Sequence, residues 1–209
     1  MNFDDSLARL IGCLIGDGCV GKYRMRSIPR KDHYEHGITK VGNYYRIEFY
    51  SKTPELLKNF SEIFFEVFKK RIAFDKKKDR VFFSSDKESF KTLTSFANFG
   101  CSKWRLKSIE FDKSSILALF GGLVDTDGYV EINKKYRTKR LILTSVNKNG
   151  LKQIQNLLLK FLDVSSKIFG PYENAYRLVI RGKNNFMKLK DLKLVHPLKI
   201  TRLKEIIND

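Results

Sequence analysis

Apolar residues along this chain recur with helical spacing in some segments and with strand-like alternation in others. The segment from Ser6 to Gly16 is apolar nearly all round and has Arg9 as its only charge, which predicts a helix that is buried on most sides. From Tyr45 to Tyr50, apolar and polar side chains alternate, which predicts a strand with one face on the core. Applied to the whole chain, these periods predict two halves, each with the order helix, two strands, helix, two strands, helix.

The predicted elements define an α+β fold in which each half has an antiparallel sheet. In the first half, helices are predicted from Asp4-Asp5-Ser6 to about Gly16, from Pro54 to about Lys70 and from Asp86 to about Asn98, with strands near 19–26, 44–50, 72–75 and 80–85. In the second half, helices are predicted from Ser114, from about Asn147 to Leu162 and from about Lys183, with strands near 129–135, 140–145, 165–169 and 176–181. A last helix is predicted to begin at Pro197.

The two halves are copies of one unit. When Leu7–Val20 is set over Leu117–Val130, at an offset of 110 residues, six of the fourteen positions are identical. Residues 81–85 resemble 177–181 at an offset of 96, so the first copy is longer by about 14 residues, which we place around Ser27 to Asn43. We therefore divide the chain into a first repeat at 1–102, a linker at 103–113 and a second repeat at 114–209.

The charge of the chain favours a polyanionic partner. Lysine and arginine number 41 against 23 aspartate and glutamate residues, which gives a net charge of +18. Residues 1–109 hold 22 basic and 13 acidic side chains, and residues 110–209 hold 19 and 10, so the excess is spread over both halves. Such a field attracts nucleic acid because neutralising phosphates releases counterions. A solubilising surface and the lysine enrichment of thermophilic proteins are the alternatives.

Several classes of protein are excluded by the composition. There is no run of about 18 apolar residues, and the acidic start has neither a basic leader nor an apolar signal core, so we expect neither a membrane span nor export. The three cysteines include no CxxC pair, which argues against disulfides and against a thiolate zinc site. We expect an intracellular protein with no membrane partner, in an archaeal cytoplasm or in an organelle.

Glycines inside the two matching helices indicate that these helices pack together. Each mid-helix glycine costs about 1 kcal/mol relative to alanine. The pair Gly12 and Gly16 has the same spacing as Gly122 and Thr126 in the second copy. This spacing of small residues lets two backbones approach closely. The alternative is two unrelated core helices that tolerate glycine.

Asp17 and Asp127 end the two helices, each before a glycine. A single Asp-Gly pair is commonly a turn or a helix C-cap. Two such pairs at the end of a packed helix pair bring two carboxylates together beside helix C-termini, which is stable only around a cation. Carboxylate and carbonyl oxygens select Mg²⁺ or a similar ion such as Mn²⁺. We predict a metal site at Asp17 and Asp127, with the carbonyls of Gly16 and Thr126.

Leu10–Gly18 (LIGCLIGDG) and Phe120–Gly128 (FGGLVDTDG) resemble the two copies of the LAGLIDADG motif, and nearly the whole chain is similar to single-chain homing endonucleases of that family. The resemblance implies two αββαββα repeats related by pseudo-twofold symmetry, with the motif helices at their interface and a saddle-shaped sheet of each repeat in the DNA major groove. It implies a monomer that cuts both strands of double-stranded DNA at a long asymmetric site in intron homing, leaving short 3′ overhangs. The last acid of each motif, Asp17 and Asp127, would hold the metal. The sixth motif position is Ile15 in the first copy and Asp125 in the second, which argues against Asp125 as a catalytic residue.

In this family a lysine after the second strand of a repeat often serves the metal-bound water network. Lys52 occupies that place in the first repeat. In the second repeat, counting along the sequence gives Asn147, with Lys148 next to it. The alternative for each lysine is a solvated side chain at the start of a helix. The predicted catalytic residues are Asp17, Asp127, Lys52 and Lys148.

Strand alternation predicts which residues face the DNA. Tyr45, Ile47 and Phe49 form an apolar face, so the residues between them point to the other side of the sheet. Arginine, lysine, asparagine, glutamate and threonine on a two-stranded ribbon can pair with base edges in a major groove, although ordinary sheets also expose such residues. The predicted DNA-binding residues on the strands are Lys22, Arg24, Arg26, Arg46, Glu48, Tyr50, Glu131, Asn133, Lys135, Arg140, Thr144, Arg177 and Arg181; Arg30 and Lys31 extend the surface in the long loop.

Other functions fit parts of the sequence. An RNA maturase that assists intron splicing, or a catalytically silent nucleic-acid-binding relic, would keep the fold and the basic surface. A restriction-like nuclease would need an acid followed by Glu-x-Lys, and Asp127, Glu131 and Lys134 miss that spacing. His33 and His36 have no third or fourth ligand to make a zinc site. No splicing segments flank the repeats as in an intein, and no organic cofactor is expected.

Overall fold

The computed structural model describes residues 3–26, 41–84, 86–100, 102–107 and 110–208, with only the backbone described for 24–26 and 41–42. Helices and strands of two similar units follow each other along the chain. The first unit consists of α1 (Asp5–Asp17), β1 (Gly18–Arg26), β2 (Val41–Tyr50), α2 (Pro54–Phe68), β3 (Ala73–Asp75), β4 (Arg80–Ser84) and α3 (Lys87–Phe96). The ladder of β5 (Ala97–Asn98) and β6 (Arg105–Leu106) leads to α4 (Lys113–Asp127), β7 (Gly128–Asn133), β8 (Thr138–Ser145), α5 (Lys148–Leu162), β9 (Lys167–Tyr172), β10 (Ala175–Ile180), α6 (Lys183–Lys188) and α7 (Pro197–Asn208).

Each unit contains a four-stranded antiparallel sheet. The strand order is β1-β2-β4-β3 in the first and β7-β8-β10-β9 in the second, so the two sheets have the same topology. In both, the first strand places a valine on the core face, with Val20 opposite Ile47 and Val130 opposite Leu141. A continuous cluster of buried apolar side chains joins α1, α4 and both sheets. The predicted α+β fold with two matching repeats is confirmed, and each repeat has the order αββαββα.

The helices begin where local signals in the sequence predict. Asp4 is the N-cap of α1, and its side chain accepts a hydrogen bond from the Leu7 N–H at 2.9 Å. Asp112 and Ser115 form a capping box at the start of α4. Pro54 is the first residue of α2, where its missing N–H costs nothing. The predicted bounds agree with the structure to within a few residues, because caps and periodicity are both local properties.

The first part of the predicted linker at 103–113, residues 103–107, packs on the second repeat. Gln153 of α5 forms two hydrogen bonds with the backbone of Leu106, accepting from its N–H and donating to its carbonyl oxygen, both at 3.1 Å. Asn147 donates from Nδ2 to the Trp104 carbonyl oxygen at 2.6 Å. The strands β5 and β6 are not predicted from the sequence, because a strand of two residues has no alternation to detect. In the described part of the chain, no helix combines the length and apolar character needed to cross a membrane.

The backbones of α1 and α4 are in direct contact at their glycines. A Cβ atom on Gly12 would lie 2.2 Å from the carbonyl oxygen of Leu119. A Cβ atom on Gly122 would lie 2.6 Å from the carbonyl oxygen of Arg9. A carbon atom cannot approach an oxygen this closely, so only glycine fits at either position. The predicted close packing of the two helices at their small residues is confirmed.

We expect Gly122→Ala to lower the free energy of unfolding by about 1–3 kcal/mol, because the added methyl group would overlap the backbone of α1. At an unhindered helical position the same substitution would stabilise the protein by about 0.5–1 kcal/mol, so the sign of the change is diagnostic. Urea unfolding followed by circular dichroism measures it, with Asn149→Ala at an exposed position of α5 as the control. A gain in stability for Gly122→Ala would contradict the close packing.

Candidate active site

Asp17 and Asp127 are the last residues of α1 and α4, and β1 and β7 begin directly after them. The residues that follow, Gly18 and Gly128, allow this abrupt change. A Cβ atom on Gly18 would lie 2.4 Å from the backbone of α1, and one on Gly128 would lie 2.5 Å from the backbone of α4. Each glycine lets the chain leave the helix at once, which keeps each aspartate at the helix end.

The two carboxylates lie close enough to affect each other's ionisation. Desolvation by burial raises the pKa of Asp17, and the positive charge of Lys199 acts in the opposite direction. Desolvation, followed by the negative charge of Asp17, raises the pKa of Asp127 to about 6, and Lys199 again opposes the shift. Both aspartates still reach the protein surface. The structure therefore brings the two predicted acids together as a repelling pair that is open to a cation.

Lys199, which the sequence analysis did not select, places its ammonium group beside this pair. From the first turn of α7 it donates to the carbonyl oxygens of Val124, Asp125 and Thr126 at 2.9, 2.7 and 3.3 Å. A cation at the C-terminus of α4 offsets the negative end of the helix dipole. Desolvation lowers the pKa of Lys199, while the nearby carboxylates of Asp125, Asp17 and Asp127 oppose that shift. No local pattern in the sequence marks this lysine, because its partners lie more than 70 residues away.

A cavity of about 270 Å³ lies beside Asp127. Gly16 of the first motif helix and Thr144 and Ser145 of β8 are among the residues that line it. Trp104, from the segment that joins the repeats, also lines it and donates from Nε1 to Ser145 Oγ at 3.3 Å. The surroundings of Asp127 are therefore built from both repeats and from the segment between them.

The predicted metal ligands have the chemistry of a site for a hard divalent cation. In the described part of the chain, no three His, Cys, Asp or Glu side chains cluster as metal ligands. The two carboxylates of Asp17 and Asp127 would need further oxygen ligands from the backbone, water or a phosphate, and such a set fits Mg²⁺ or Mn²⁺. The Thr126 carbonyl oxygen already accepts from Lys199 at 3.3 Å, whereas Gly16 lines the cavity next to Asp127. His33 and His36 lie outside the described residues.

The two predicted catalytic lysines are both exposed. Lys52 lies in the turn between β2 and α2. Lys148 is the first residue of α5, and its Nζ lies 5.2 Å from the centroid of the Tyr176 ring. Asn147, which counting gave as the second-repeat equivalent, is the buried N-cap of α5 and accepts from the Gly150 N–H at 3.0 Å, so its role is structural. Lys52 and Lys148 remain predictions.

The strand register of the second repeat supports most of its predicted DNA-binding face. Glu131 pairs with Arg140, and Arg177 pairs with Thr144, so each pair shares one side of the sheet. Asn133 is opposite Thr138 on the same side as Glu131. Two predictions of strand position were wrong: Lys135 lies in the hairpin turn after β7, and Arg181 lies just beyond the end of β10. These two residues are exposed, but strand alternation does not set their direction.

In the first repeat, the face predicted for Lys22 was wrong. Lys22 pairs with Tyr45 and so lies on the side of the sheet that carries Ile47 and Phe49. Arg24 and Arg26 pair with Asn43 and Val41, so their positions on β1 have the same parity as that of Lys22. Only the backbone of these two arginines is described. Arg30 and Lys31 lie outside the described residues. Tyr23 has the opposite parity to Lys22 and is 43% exposed, so it lies on the outer face of the sheet. It was not among the predicted DNA-binding residues.

Glu48, predicted to contact DNA, is only 2% exposed. Its carboxylate forms an ion pair with Arg46 Nη2 at 2.5 Å and accepts a hydrogen bond from the Tyr50 hydroxyl at 2.8 Å. Arg80 of the neighbouring strand β4 also pairs with it. The carboxylate is therefore surrounded by donors of the protein itself, and the prediction that Glu48 reads a base was wrong. Arg46 and Tyr50 remain partly exposed on this face.

Comparison with known proteins supports the assignment of the fold. Residues 114–192 match the family model of the LAGLIDADG-like domain. The chain also superimposes on the homing endonuclease I-DmoI, in a structure of its mesophilic variants, with a TM-score of 0.64 and 19% identity over 92% of this chain and 97% of that chain. The chain has the LAGLIDADG fold. The predicted resemblance is confirmed.

Two DNA complexes share the LAGLIDADG fold with this chain. One is I-DmoI in complex with DNA and Mn, with a TM-score of 0.61 and 18% identity over 94% of this chain and 98% of that chain. The other is the homing endonuclease I-WcaI bound to its DNA recognition sequence, with a TM-score of 0.57 and 15% identity over 99% of this chain and 88% of that chain. No curated protein sequence matches the chain.

Proposed function

We propose that this protein is a sequence-specific DNA endonuclease that makes a metal-dependent double-strand break at a long asymmetric site, in intron homing. The observation that carries the proposal is the pair of exposed, mutually repelling carboxylates of Asp17 and Asp127 at the ends of the two packed helices α1 and α4. Two adjacent carboxylates repel each other and also repel a phosphate backbone, so they would weaken a protein that only binds nucleic acid. In a metal-dependent hydrolase, the same two carboxylates would bind the cation that the reaction requires.

Asp17 and Asp127 would hold Mg²⁺ or Mn²⁺, which when bound supplies an activated water and stabilises the charge that develops on the phosphate. Lys199 opposes the rise in the pKa of both aspartates and so favours their ionised, metal-binding form at neutral pH. Its ammonium group also adds positive charge beside the place where a phosphate would lie. Lys52 and Lys148 are proposed to order water on either side of this centre.

Double-stranded DNA is the proposed substrate. The net charge of +18 is shared by both halves of the chain, with 22 basic and 13 acidic side chains in residues 1–109 and 19 and 10 in residues 110–209, which suits two half-sites of one duplex. Because one chain carries both repeats and both acids, a monomer would contain a complete site. I-DmoI and I-WcaI, which have this fold, are homing endonucleases with structures in complex with DNA.

The test begins with selection of a target. The full-length protein is incubated in EDTA with duplexes whose central segment is randomised, and retained duplexes are amplified over several rounds. The enriched duplex is then incubated with the protein and Mg²⁺, and the cut ends of both strands are mapped. We expect paired nicks at fixed positions with short 3′ overhangs, and no cutting in EDTA. Failure to enrich any sequence would contradict the proposal, and specific binding without cutting would support a maturase or a relic.

An RNA maturase is the second candidate function, and the outer surface of the second repeat favours it. Tyr172 and Phe169 are 50% and 38% exposed, and arginine guanidinium groups lie 5.2 and 6.0 Å from their ring centroids. Exposed aromatic rings beside arginines are suited to stacking on unpaired bases of RNA. Binding of a structured intron RNA that is tighter than binding of the selected duplex would favour this second function.

A further inference from the structure

Five side chains form a connected polar cluster on the outer face of the first sheet. Glu48 lies at its centre, and its side chain is 2% exposed. Arg46 and Tyr50 contact it from the same strand, β2. Arg80 contacts it from β4, and Asp75 of β3 completes the cluster by its contact with Arg80. The cluster therefore spans three adjacent strands of the sheet that is proposed to lie on DNA.

The two arginines of the cluster differ in what holds them. Asp75 accepts hydrogen bonds from Arg80 Nε and Nη2 at 3.2 and 3.1 Å, and Glu48 pairs with Nη1. The Arg80 guanidinium also lies 5.0 Å from the centroid of the Phe82 ring, and its side chain is 10% exposed. Arg80 is thus fixed by two acids and a ring. Its function in the cluster is to compensate the buried charge of Glu48, which would be costly without a partner.

Arg46 is held by the same carboxylate but reaches the surface. Its Nη2 lies 2.5 Å from Glu48 Oε1, and 35% of its side chain is exposed. Tyr50, whose hydroxyl donates to the other carboxylate oxygen at 2.8 Å, is 39% exposed. An arginine whose direction is already fixed loses less conformational entropy when it binds, and a guanidinium can donate two hydrogen bonds to the major-groove edge of guanine.

We propose that Glu48 is a positioning residue that fixes the Arg46 guanidinium, together with Tyr50, in the direction required to read one or two base pairs of the half-site bound by the first repeat. Glu48 itself contacts no base. This inference rests on the proposed function, because it assigns a task within recognition of the DNA target.

Because the cluster has no net charge, the salt dependence of binding can distinguish whether Arg46 contacts a base or a phosphate. Glu48 and Asp75 carry two negative charges, and Arg46 and Arg80 carry two positive charges, so the cluster as a whole is neutral. A neutral cluster adds little to the general attraction for phosphates. Arg46→Lys keeps the charge of the cluster, so it should change the sequence preference of the protein and leave the salt dependence of specific binding nearly unchanged. If Arg46 instead bound a phosphate, its loss would weaken binding to all sequences alike and reduce the salt slope by about one.

The experiment repeats the duplex selection in EDTA with the full-length parent protein and with Glu48→Gln, Arg46→Lys and Glu62→Gln. Glu62 is 61% exposed on α2, so Glu62→Gln removes the same charge away from the sheet and serves as the control. We expect Glu48→Gln and Arg46→Lys to reduce the preference at the same one or two base pairs from about tenfold or more to below about threefold. The control should retain the parent preference at every position.

The outcomes distinguish this inference from the proposed function. A parent protein that enriches no sequence overturns the proposed function and this inference with it. A parent preference that Glu48→Gln and Arg46→Lys leave intact overturns the inference alone. So does a loss of affinity in these two variants that is the same for all sequences. Circular dichroism checks that Glu48→Gln folds, and Arg46→Lys, which changes a partly exposed side chain, keeps the test decisive if Glu48→Gln does not.

Discussion

Replacing Asp127 with asparagine is expected to reduce cleavage of the selected duplex by at least about a thousandfold, while binding of the same duplex in EDTA stays within about threefold of the parent. Asp17→Asn should do the same. Each substitution keeps the shape of the side chain at the end of its motif helix but removes the negative charge that a divalent cation requires. Both acids belong to the same proposed metal site, so loss of either is expected to reduce cleavage.

Cleavage is measured by single-turnover kinetics at saturating protein, and binding by fluorescence anisotropy. Asp191→Asn, at an exposed position before α7, is the charge-matched control and should cut at the parent rate. Undiminished cutting by both Asp17→Asn and Asp127→Asn would refute the assignment of the active site. If the variants lost both binding and cutting, the aspartates would instead support the fold or the contact with DNA.

The raised pKa of Asp127 gives the same variant a second signature. The pKa of this carboxyl is raised from 3.8 to about 6, so the folded chain binds a proton more tightly than the unfolded chain does. The metal-free protein therefore loses stability as the pH rises from 3.8 to about 6, and the loss persists at higher pH. Asp127→Asn removes this loss. Measured in EDTA, the Tm of the variant should exceed that of the parent at pH 8, and the difference should shrink towards pH 4.

The parts of the site that could be predicted from the sequence are those set by local pattern. Asp17 and Asp127 could be predicted because three features recur in the second copy at the same offset of 110 residues. These are the helical pattern of apolar residues, the spacing of small residues within the helix, and the Asp-Gly pair at its end. The same offset of 110 aligns Gly21 with Glu131 and Tyr23 with Asn133. Had that alignment been applied to β1, it would have placed Tyr23 rather than Lys22 on the outer face. The error arose because charge, rather than register, was used to choose the face.

Other features depend on contacts between distant parts of the chain. Lys199 reaches the end of α4 only because α7 packs against β7 and brings its first turn there. The burial of Glu48 depends on Arg80, which is 32 residues away and on a neighbouring strand. Alternation within a strand predicts which side a residue faces, but it does not reveal whether a neighbour covers it. For this reason a glutamate with the correct parity was mistaken for a base-reading residue.

Breaking the ion pair between Arg9 and Asp125 is expected to have the largest effect on stability. The Arg9 Nη2 to Asp125 Oδ2 distance is 2.6 Å, and the two side chains are 7% and 0% exposed. Asp125→Ala leaves the arginine charge buried without its carboxylate and should lower the free energy of unfolding by about 3–5 kcal/mol. Arg9→Met should cost a similar amount. The double variant Arg9→Met/Asp125→Leu should cost clearly less than the sum of the two, because neither charge is left alone.

The same pair explains why the sixth motif position differs between the copies. Asp125 also accepts hydrogen bonds from the backbone N–H groups of Val195 and His196, at 2.9 and 3.0 Å, directly before α7 begins. Asp125 therefore holds the start of α7 in the position from which Lys199 reaches Asp17 and Asp127. At the matching position of the first motif is Ile15, a buried apolar side chain that cannot accept such hydrogen bonds. If Asp125→Ala unfolded at the same urea concentration as the parent, both the buried pair and this role would be refuted.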